Sequence, residues 1–284
     1  MFINITKNTP RRGHGLRSVF FLRYGGGLSR IFFVYFSNMS IRRVYPGDIL
    51  LRMNDGIENI AVLGGSGLLA TELKKVDEDL KLLKKSEVDI RRIDTFKHLD
   101  LYDTIIHTAA LIDNTQVKGN EIDFIDTNII GTANIANYCT YNNKRLIYIS
   151  TDYVYEGNGM HHESDPVHPY NLYAWSKLGG ECSVRFVPNH VIIRTSFGSN
   201  EFPYESAYDN LYTSKDYVDV IAPLIMKVIQ NKEFRGVINV GTDKKSIYEY
   251  ATERNPDVKK IQLGQSIDFS LNTTKFKRLN EKKE

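Results

Sequence analysis

The apolar run Ile60-Ala61-Val62-Leu63 leads straight into Gly64-Gly65-Ser66-Gly67, and Leu68-Leu69-Ala70 follows. No other stretch narrows the folding options of this chain as much. Four apolar residues closed by glycine predict a short buried strand, and residues 68–76 predict a helix. The turn between them fits G-x-x-G-x-x-A. Glycines allow a sharp turn and let the backbone approach a pyrophosphate, while the helix N-terminus offers amide donors and the positive end of its dipole. Ala70 in the third place still permits close helix–sheet packing. Gly64, Ser66, Gly67 and Leu68 are therefore the expected cofactor contacts, weighed against a plain strand-to-helix turn.

The pattern continues in the same style. Strands are predicted over 80–83, 104–106, 146–149, 191–193 and 237–240, with helices over 120–141, 170–186, 215–230 and 246–253 and a last short element in the Lys-rich tail. Strands alternating with helices indicate a parallel sheet covered on both faces. The expected fold is α/β: a Rossmann-like doubly wound parallel sheet with a small C-terminal substrate lobe. The expected division is a basic, dispensable N-terminal extension over 1–56, a dinucleotide-binding domain over 57–197, and a reduced substrate lobe with returning Rossmann elements over 198–284.

Charge and cysteine usage trim the function classes. Residues 1–47 hold eight Lys and Arg and no acid, so the remainder of the chain is mildly acidic although the net charge is +3. That body does not suit nucleic acid as a main ligand. The basic segment reads as a targeting peptide, a nucleic-acid or membrane-surface arm, or a dispensable leader. No run reaches the roughly 18 apolar residues of a membrane span. Two cysteines, Cys139 and Cys182, fit a reducing compartment, and neither a disulfide framework nor a zinc site is expected. A cytoplasmic protein is the expectation, with no metal, no nucleic acid and no membrane among its partners.

The chemistry-bearing segment is Tyr173-Ala174-Trp175-Ser176-Lys177. Four residues apart on a helix, Tyr173 and Lys177 share one face. A phenol ionises near pH 10, and a neighbouring ammonium would lower that and could also hold ribose hydroxyls. Ser150-Thr151-Asp152 ends the preceding strand, on the side where parallel sheets meet their ligands. A hydroxyl there can bond a carbonyl oxygen. Lys84 and Lys85 at the end of the second strand favour the phosphate of NADP(H), with NAD(H) as the alternative because Glu87 and Asp89 follow closely. His161 and His162 read as solvated loop residues with a lid role as the alternative, Trp175 as packing with substrate stacking as the alternative, and Cys139 as an inert helix-core thiol. Asn128 is either bonded to backbone or part of a proton path. Asp113, Asn114 and Thr115 read as a turn or as substrate contacts.

Taken together, these segments resemble the extended short-chain dehydrogenases/reductases, and within them the dTDP-4-dehydrorhamnose reductase group. The resemblance rests on Val62-Leu63-Gly64-Gly65-Ser66-Gly67-Leu68-Leu69, His107-Thr108-Ala109-Ala110, Asn128-Ile129-Ile130-Gly131-Thr132, Ile149-Ser150-Thr151-Asp152-Tyr153-Val154-Tyr155-Glu156-Gly157 and Pro169-Tyr170-Asn171-Leu172-Tyr173-Ala174-Trp175-Ser176-Lys177-Leu178, with Ile193-Arg194-Thr195-Ser196 and Tyr217-Val218-Asp219-Val220 adding weaker agreement. It covers roughly residues 57–250. It implies Thr151, Tyr173 and Lys177 as the catalytic set, Ala109 and Ala110 lining the cofactor, and Asp89 with Ile90 near the adenine. It also implies an NAD(P)H-dependent reductase of a 4-keto deoxysugar nucleotide. A diphosphate needs cationic or amide donors, which Arg194, Lys215 or nearby backbone could supply, and a homodimer is one assembly. The chain departs from the group over 198–211, where the segment that would close over a nucleotide-sugar is short. An epimerase or dehydratase of the same superfamily, or a non-catalytic regulatory subunit, are the alternatives.

Overall fold

A computed structural model of the chain describes residues 17–18, 34–35, 59–112 and 121–281. The chain divides into two units, Met1–Glu58 and Asn59–Glu284. In the first, Arg17–Ser18 pairs antiparallel with Val34–Tyr35. The expected extension over 1–56 otherwise lies outside the described residues, as do Asp113, Asn114 and Thr115.

The second unit is built on six parallel strands: β1 (Ile60–Leu63), β2 (Lys81–Leu83), β3 (Thr104–His107), β4 (Arg145–Thr151), β5 (His190–Thr195) and β6 (Gly236–Asn239). Their order across the sheet is 2-1-3-4-5-6. The chain moves outward from β1 to β2, then returns past β1 to β3. Neighbouring connections therefore part between β1 and β3, and a crevice opens there at the carboxyl ends of the strands.

The apolar runs are strands because both of their faces are covered. Alternate residues go to opposite layers. Val62, Ile106, Ile147, Ile193 and Ile238 pack under α1 (Leu68–Val76), α5 (Val218–Gln230) and α7 (Thr274–Glu281) through Leu69, Leu73, Ile221, Ile225 and Phe276. Ala61, Leu63, Ile105, Leu146, Tyr148 and Ile192 form the other layer with Ile135 and Cys139 of α3 (Thr132–Tyr141) and Val184 of α4 (Leu172–Val184). Burial pushes the Cys139 thiol up to about 12, so the inert reading of that cysteine holds.

The differences from expectation are local. The helix expected over 120–141 runs as α2 (Glu121–Phe124), a π-wound stretch Ile125–Gly131, and α3. Helix α4 starts at Leu172 because Asn171 caps it, its side chain accepting from the Ala174 amide at 2.7 Å. Helix α5 starts only at Val218, since Asp216–Tyr217 runs extended beside Phe197–Gly198. Beyond β5 the chain adds short pairings that sequence periodicity does not reveal. Ser206–Tyr208 pairs with Lys259–Ile261, and Leu211–Thr213 lies between Lys245–Ser246 and Ile267–Asp268. Two or three residues are too few to show an alternation. A capping box at Ser246 and Glu249 starts α6 (Ile247–Thr252).

Candidate active site

The glycine turn lies at the β1–β3 parting. Gly64 has φ +81°, and a Cβ there would lie 2.8 Å from the Ala109 backbone. A Cβ on Gly65 would lie 2.8 Å from the Leu83 amide nitrogen, whose carbonyl accepts the Gly65 N–H at 2.9 Å. Both glycines are thus required by the neighbouring strand ends before any ligand is considered. Helix α1 begins at once, with no side-chain cap and no acid in its first turn. Ser66, Gly67 and Leu68 are exposed. First-turn amides have no acceptor within a helix, so this end presents donors and a positive dipole to the crevice. α4 and α6, by contrast, carry side-chain caps. The open end of α1 fits a dinucleotide pyrophosphate.

Along one wall, β2 stops at Leu83, and the exposed Lys84 and Lys85 follow it. Asp89 is held by Arg91 through bonds of 2.8 and 3.0 Å, which with the adjoining Lys85 charge keeps its carboxyl down at about 2. Arg91 and Arg92 line a groove of about 330 Å³ with Asp126 and Ile130. Ile90 is buried against Gly131, where any Cβ would come within 2.7 Å of its side chain. Ala109 and Ala110, both partly buried, follow β3 after Thr108, and the Ala109 backbone lies against Gly64.

Thr151 closes β4. Its hydroxyl donates to Asp152 Oδ1 at 3.2 Å and accepts from the Tyr153 amide at 3.2 Å. Asp152 is 1% exposed. Burial pushes its carboxyl up to about 7, against the pull of Lys215 and of the hydroxyls of Thr151 and Ser196. Tyr173 lies in the reach of that carboxylate. Burial first, then the charge of Asp152 and the proximity of Tyr153, raise its phenol well above the usual value. The expected lowering of Tyr173 by Lys177 is not what the geometry gives. Lys177, 2% exposed, places Nζ over the Tyr148 ring at 4.1 Å from the centroid. Burial draws its ammonium down to about 7, with Glu181 opposing.

Several residues lie where sequence reasoning did not put them. Arg194, expected as a diphosphate donor, is 1% exposed and clamped to Glu181 by bonds of 2.7 and 3.0 Å, with Tyr155 accepting a third at 2.8 Å. A guanidinium so committed is not available to a ligand. His161 is buried and stacks on Tyr155 at 4.7 Å, so it is not a solvated loop residue. Trp175 is 53% exposed, because the inward face of α4 is taken by Ala174, Ser176, Lys177, Gly180 and Glu181. Asn128 takes the backbone option. Its amide accepts from Leu111 N at 2.8 Å and donates to Leu111 O at 2.9 Å and to Ser176 Oγ at 2.8 Å. An aromatic wall of Tyr153, Tyr170 and Phe269, with ring centroids 5.3 to 6.4 Å apart, also escaped notice. Its members are distant in sequence, and only the fold joins them. Among the described residues no cluster of ligating side chains is arranged to hold a metal, and no helix is long and apolar enough to cross a membrane.

Comparison with known proteins identifies the family. The family profile of the RmlD substrate binding domain matches residues 58–251. A dTDP-4-dehydrorhamnose reductase of Aggregatibacter actinomycetemcomitans is 28% identical over 179 residues, 58% of this chain and 61% of that protein. Methionine adenosyltransferase 2 subunit beta of Danio rerio is 45% identical over a shorter stretch of 71 residues, 24% of this chain and 22% of that one. The crystal structure of dTDP-4-dehydrorhamnose reductase from Bacillus anthracis in complex with NADP superposes with a TM-score of 0.68 at 23% identity, covering 78% of this chain and 91% of that one. The chain spans about half to three fifths of the curated reductases that it matches. With the profile covering the β1 turn, the Thr151 strand end and the Tyr173/Lys177 helix alike, the chain belongs to the RmlD substrate binding domain family.

Proposed function

We propose that the chain is an NAD(P)H-dependent reductase of a keto group on a nucleotide-linked deoxysugar, with NADPH preferred, acting in the cytoplasm. One observation carries this reading: Thr151, Asp152 and Tyr173 form a single electrostatic cluster at the carboxyl end of β4, with Lys177 one turn along α4 from Tyr173. The match to the family and the NADP named with the Bacillus anthracis structure support it. So does the basic surface after β2, where Asp89 is engaged by Arg91 and Lys84 and Lys85 stand open. The domain division offered from sequence, 57–197 for the dinucleotide and 198–284 for the smaller lobe, belongs to the same proposal, as does assembly of the chain as a homodimer.

The residues would act as follows. Gly64, Ser66, Gly67 and Leu68 would receive the pyrophosphate, Ala109 and Ala110 the face of the cofactor, and Lys177 its ribose hydroxyls. When bound, the reduced nicotinamide supplies a hydride to the keto carbon. Tyr173 holds its proton firmly at neutral pH and donates it from Oη to the keto oxygen as negative charge grows there. Thr151 Oγ1 turns from Asp152 to the same oxygen and steadies it. Tyr153, Tyr170 and Phe269 offer an apolar wall for the sugar ring.

NADPH oxidation with a panel of 4-keto-6-deoxy sugar nucleotides tests the proposal. Turnover with at least one member is expected. No turnover with any of them, together with tight NADPH binding, would favour a regulatory subunit. That second reading draws on the likeness to Methionine adenosyltransferase 2 subunit beta and on the short 198–211 segment. An epimerase or dehydratase would need a further acid/base pair, and Asp152 supplies one such group only.

A further inference from the structure

Lys177 lies in an unusual setting for an ammonium. It is 2% exposed, and the carboxylate one turn along its own helix supports its charge only while shared with other partners. Glu181 Oε1 accepts from Ser150 Oγ at 2.6 Å and Arg194 Nε at 3.0 Å, and Oε2 accepts from Arg194 Nη2 at 2.7 Å. A buried cation without its own anion normally loses its proton. What lies directly against Nζ is the face of Tyr148, 4.1 Å away at the ring centroid. The negative face of an aromatic ring attracts a cation, and the attraction grows when water is excluded. Tyr148 is itself fully buried.

The ring is fixed from several sides. Tyr148 Oη donates to the Lys177 carbonyl at 3.3 Å, so the ring is tied to the same residue whose ammonium it faces. His107 leans on it with centroids 5.3 Å apart, and His107 Nε2 lies 3.0 Å from Thr132 Oγ1. Gly180 is required at its place in α4, because a Cβ there would lie 2.5 Å from Tyr148 Oη. Glu181 supports the Lys177 charge while paired with Arg194, and the other groups around it are neutral or paired. Burial draws His107 down to about 3, so it brings no second positive charge. On the other packed elements, Tyr148 and Tyr173 hold their protons, Arg194 is paired with Glu181, and Asp152 faces Lys215.

We propose that Tyr148 is a positioning residue for the reducing site: its ring face, added to the shared Glu181 carboxylate, keeps the Lys177 ammonium protonated and aimed toward the cofactor crevice. The inference rests on the reading of Lys177 as part of that site. It adds to that reading a residue on the strand opposite, three positions before Thr151, that touches neither substrate nor cofactor.

The test grades the ring without changing its shape. The full chain would carry Tyr148→Phe, then phenylalanine analogues with two and five ring fluorines at position 148. Fluorination progressively empties the ring face of negative charge. The readout is the pH titration of the Lys177 side chain by carbon-13 NMR of labelled lysine, with the resonance assigned through Lys177→Arg. Tyr148→Phe should leave the titration midpoint unchanged. The pentafluoro analogue should lower it by about one unit, with the difluoro analogue between. A midpoint unaffected by fluorination overturns the proposal, as does a full shift already present in Tyr148→Phe, which would assign the effect to the hydroxyl. If the pentafluoro chain does not fold, the difluoro chain against Tyr148→Phe decides alone. Because this measurement needs no sugar substrate, absence of turnover would count against the reductase reading without touching this result.

Discussion

Glu181 and Arg194 provide the sharpest quantitative test of how the site is supported. Both are essentially inaccessible, at 0% and 1% exposure. The pair joins α4 to β5, and Ser150 and Tyr155 complete its hydrogen bonding. Replacing Glu181 by Gln leaves Arg194 charged and buried. It also turns an amide N–H toward a guanidinium that has only donors. Removing one partner of a buried pair typically costs about 3 to 5 kcal/mol, of which the stranded charge is the larger part. Against a total of about 5 to 15 kcal/mol for a domain, Glu181→Gln should bring the protein close to the edge of folding. The double substitution Glu181→Leu with Arg194→Met buries no charge. It should recover most of that loss, since apolar replacements of buried pairs are often neutral. Urea unfolding of wild type, Glu181→Leu, Arg194→Met and the double variant yields the coupling energy directly. A single-variant loss under about 1 kcal/mol, or a double variant as unstable as the sum of its singles, would refute the argument that the two charges exist for one another.

Tyr173→Phe should cut turnover by about 10² to 10⁴ while NADPH still binds, as measured by steady-state assay and fluorescence titration; turnover within about twofold of wild type would remove Tyr173 as the proton donor. Turnover should fall as pH rises through about 7, because ionised Asp152 claims the Thr151 proton and makes the Tyr173 phenol a weaker acid. Asp152→Asn should abolish that limb, and a limb that survives in the pH–rate profile would belong to another group, Lys177 first. NADPH should bind more tightly than NADH, and Lys84→Ala with Lys85→Ala should narrow the difference; an NADH preference in wild type by titration would show that Asp89 exchanges Arg91 for ribose. A chain starting at Met53 should fold and bind NADPH, because the sheet begins at Ile60 and the second unit at Asn59; aggregation or loss of near-ultraviolet circular dichroism would show that the leader is needed.

The parts of this architecture that were legible in advance are those whose signal is local. The glycine turn announces itself because Gly64 must adopt a positive φ and Gly65 must clear Leu83, and each demand falls on one residue. The strands of the sheet are legible because covered strands are short apolar runs. Tyr173 and Lys177 share a face by helical spacing alone, and Thr151 by standing at a strand end. The surroundings of Lys177 were harder to read. Sequence places Lys177 beside Tyr173, but it does not show that Tyr148, a strand residue 29 positions earlier, takes the ammonium. Arg194 was misjudged for a similar reason. An arginine after an apolar strand looks available until Glu181, 13 residues away on another element, is found to hold it. Asp152 was visible in sequence, yet its raised proton affinity comes from burial, which depends on the whole fold.

The π-wound stretch Ile125–Gly131 makes the helix it interrupts behave like an indexed gear. An ordinary α-helix advances 100° per residue, so each inserted or deleted residue turns everything beyond it by that step. A π turn holds one residue more than an α turn, and here that extra residue lets two α-helical segments keep different angular settings on one axis. The downstream segment presents Ile135 and Cys139 to the sheet, while Asn128 points to Leu111 and Ser176. Deleting a single residue between Ile125 and Gly131 would restore regular winding and reset the angle. Either the apolar face of α3 or the Asn128 clasp would then lose its seat. Length in this segment is therefore as constrained as residue identity, and homologous chains that keep both contacts should show no gap across it.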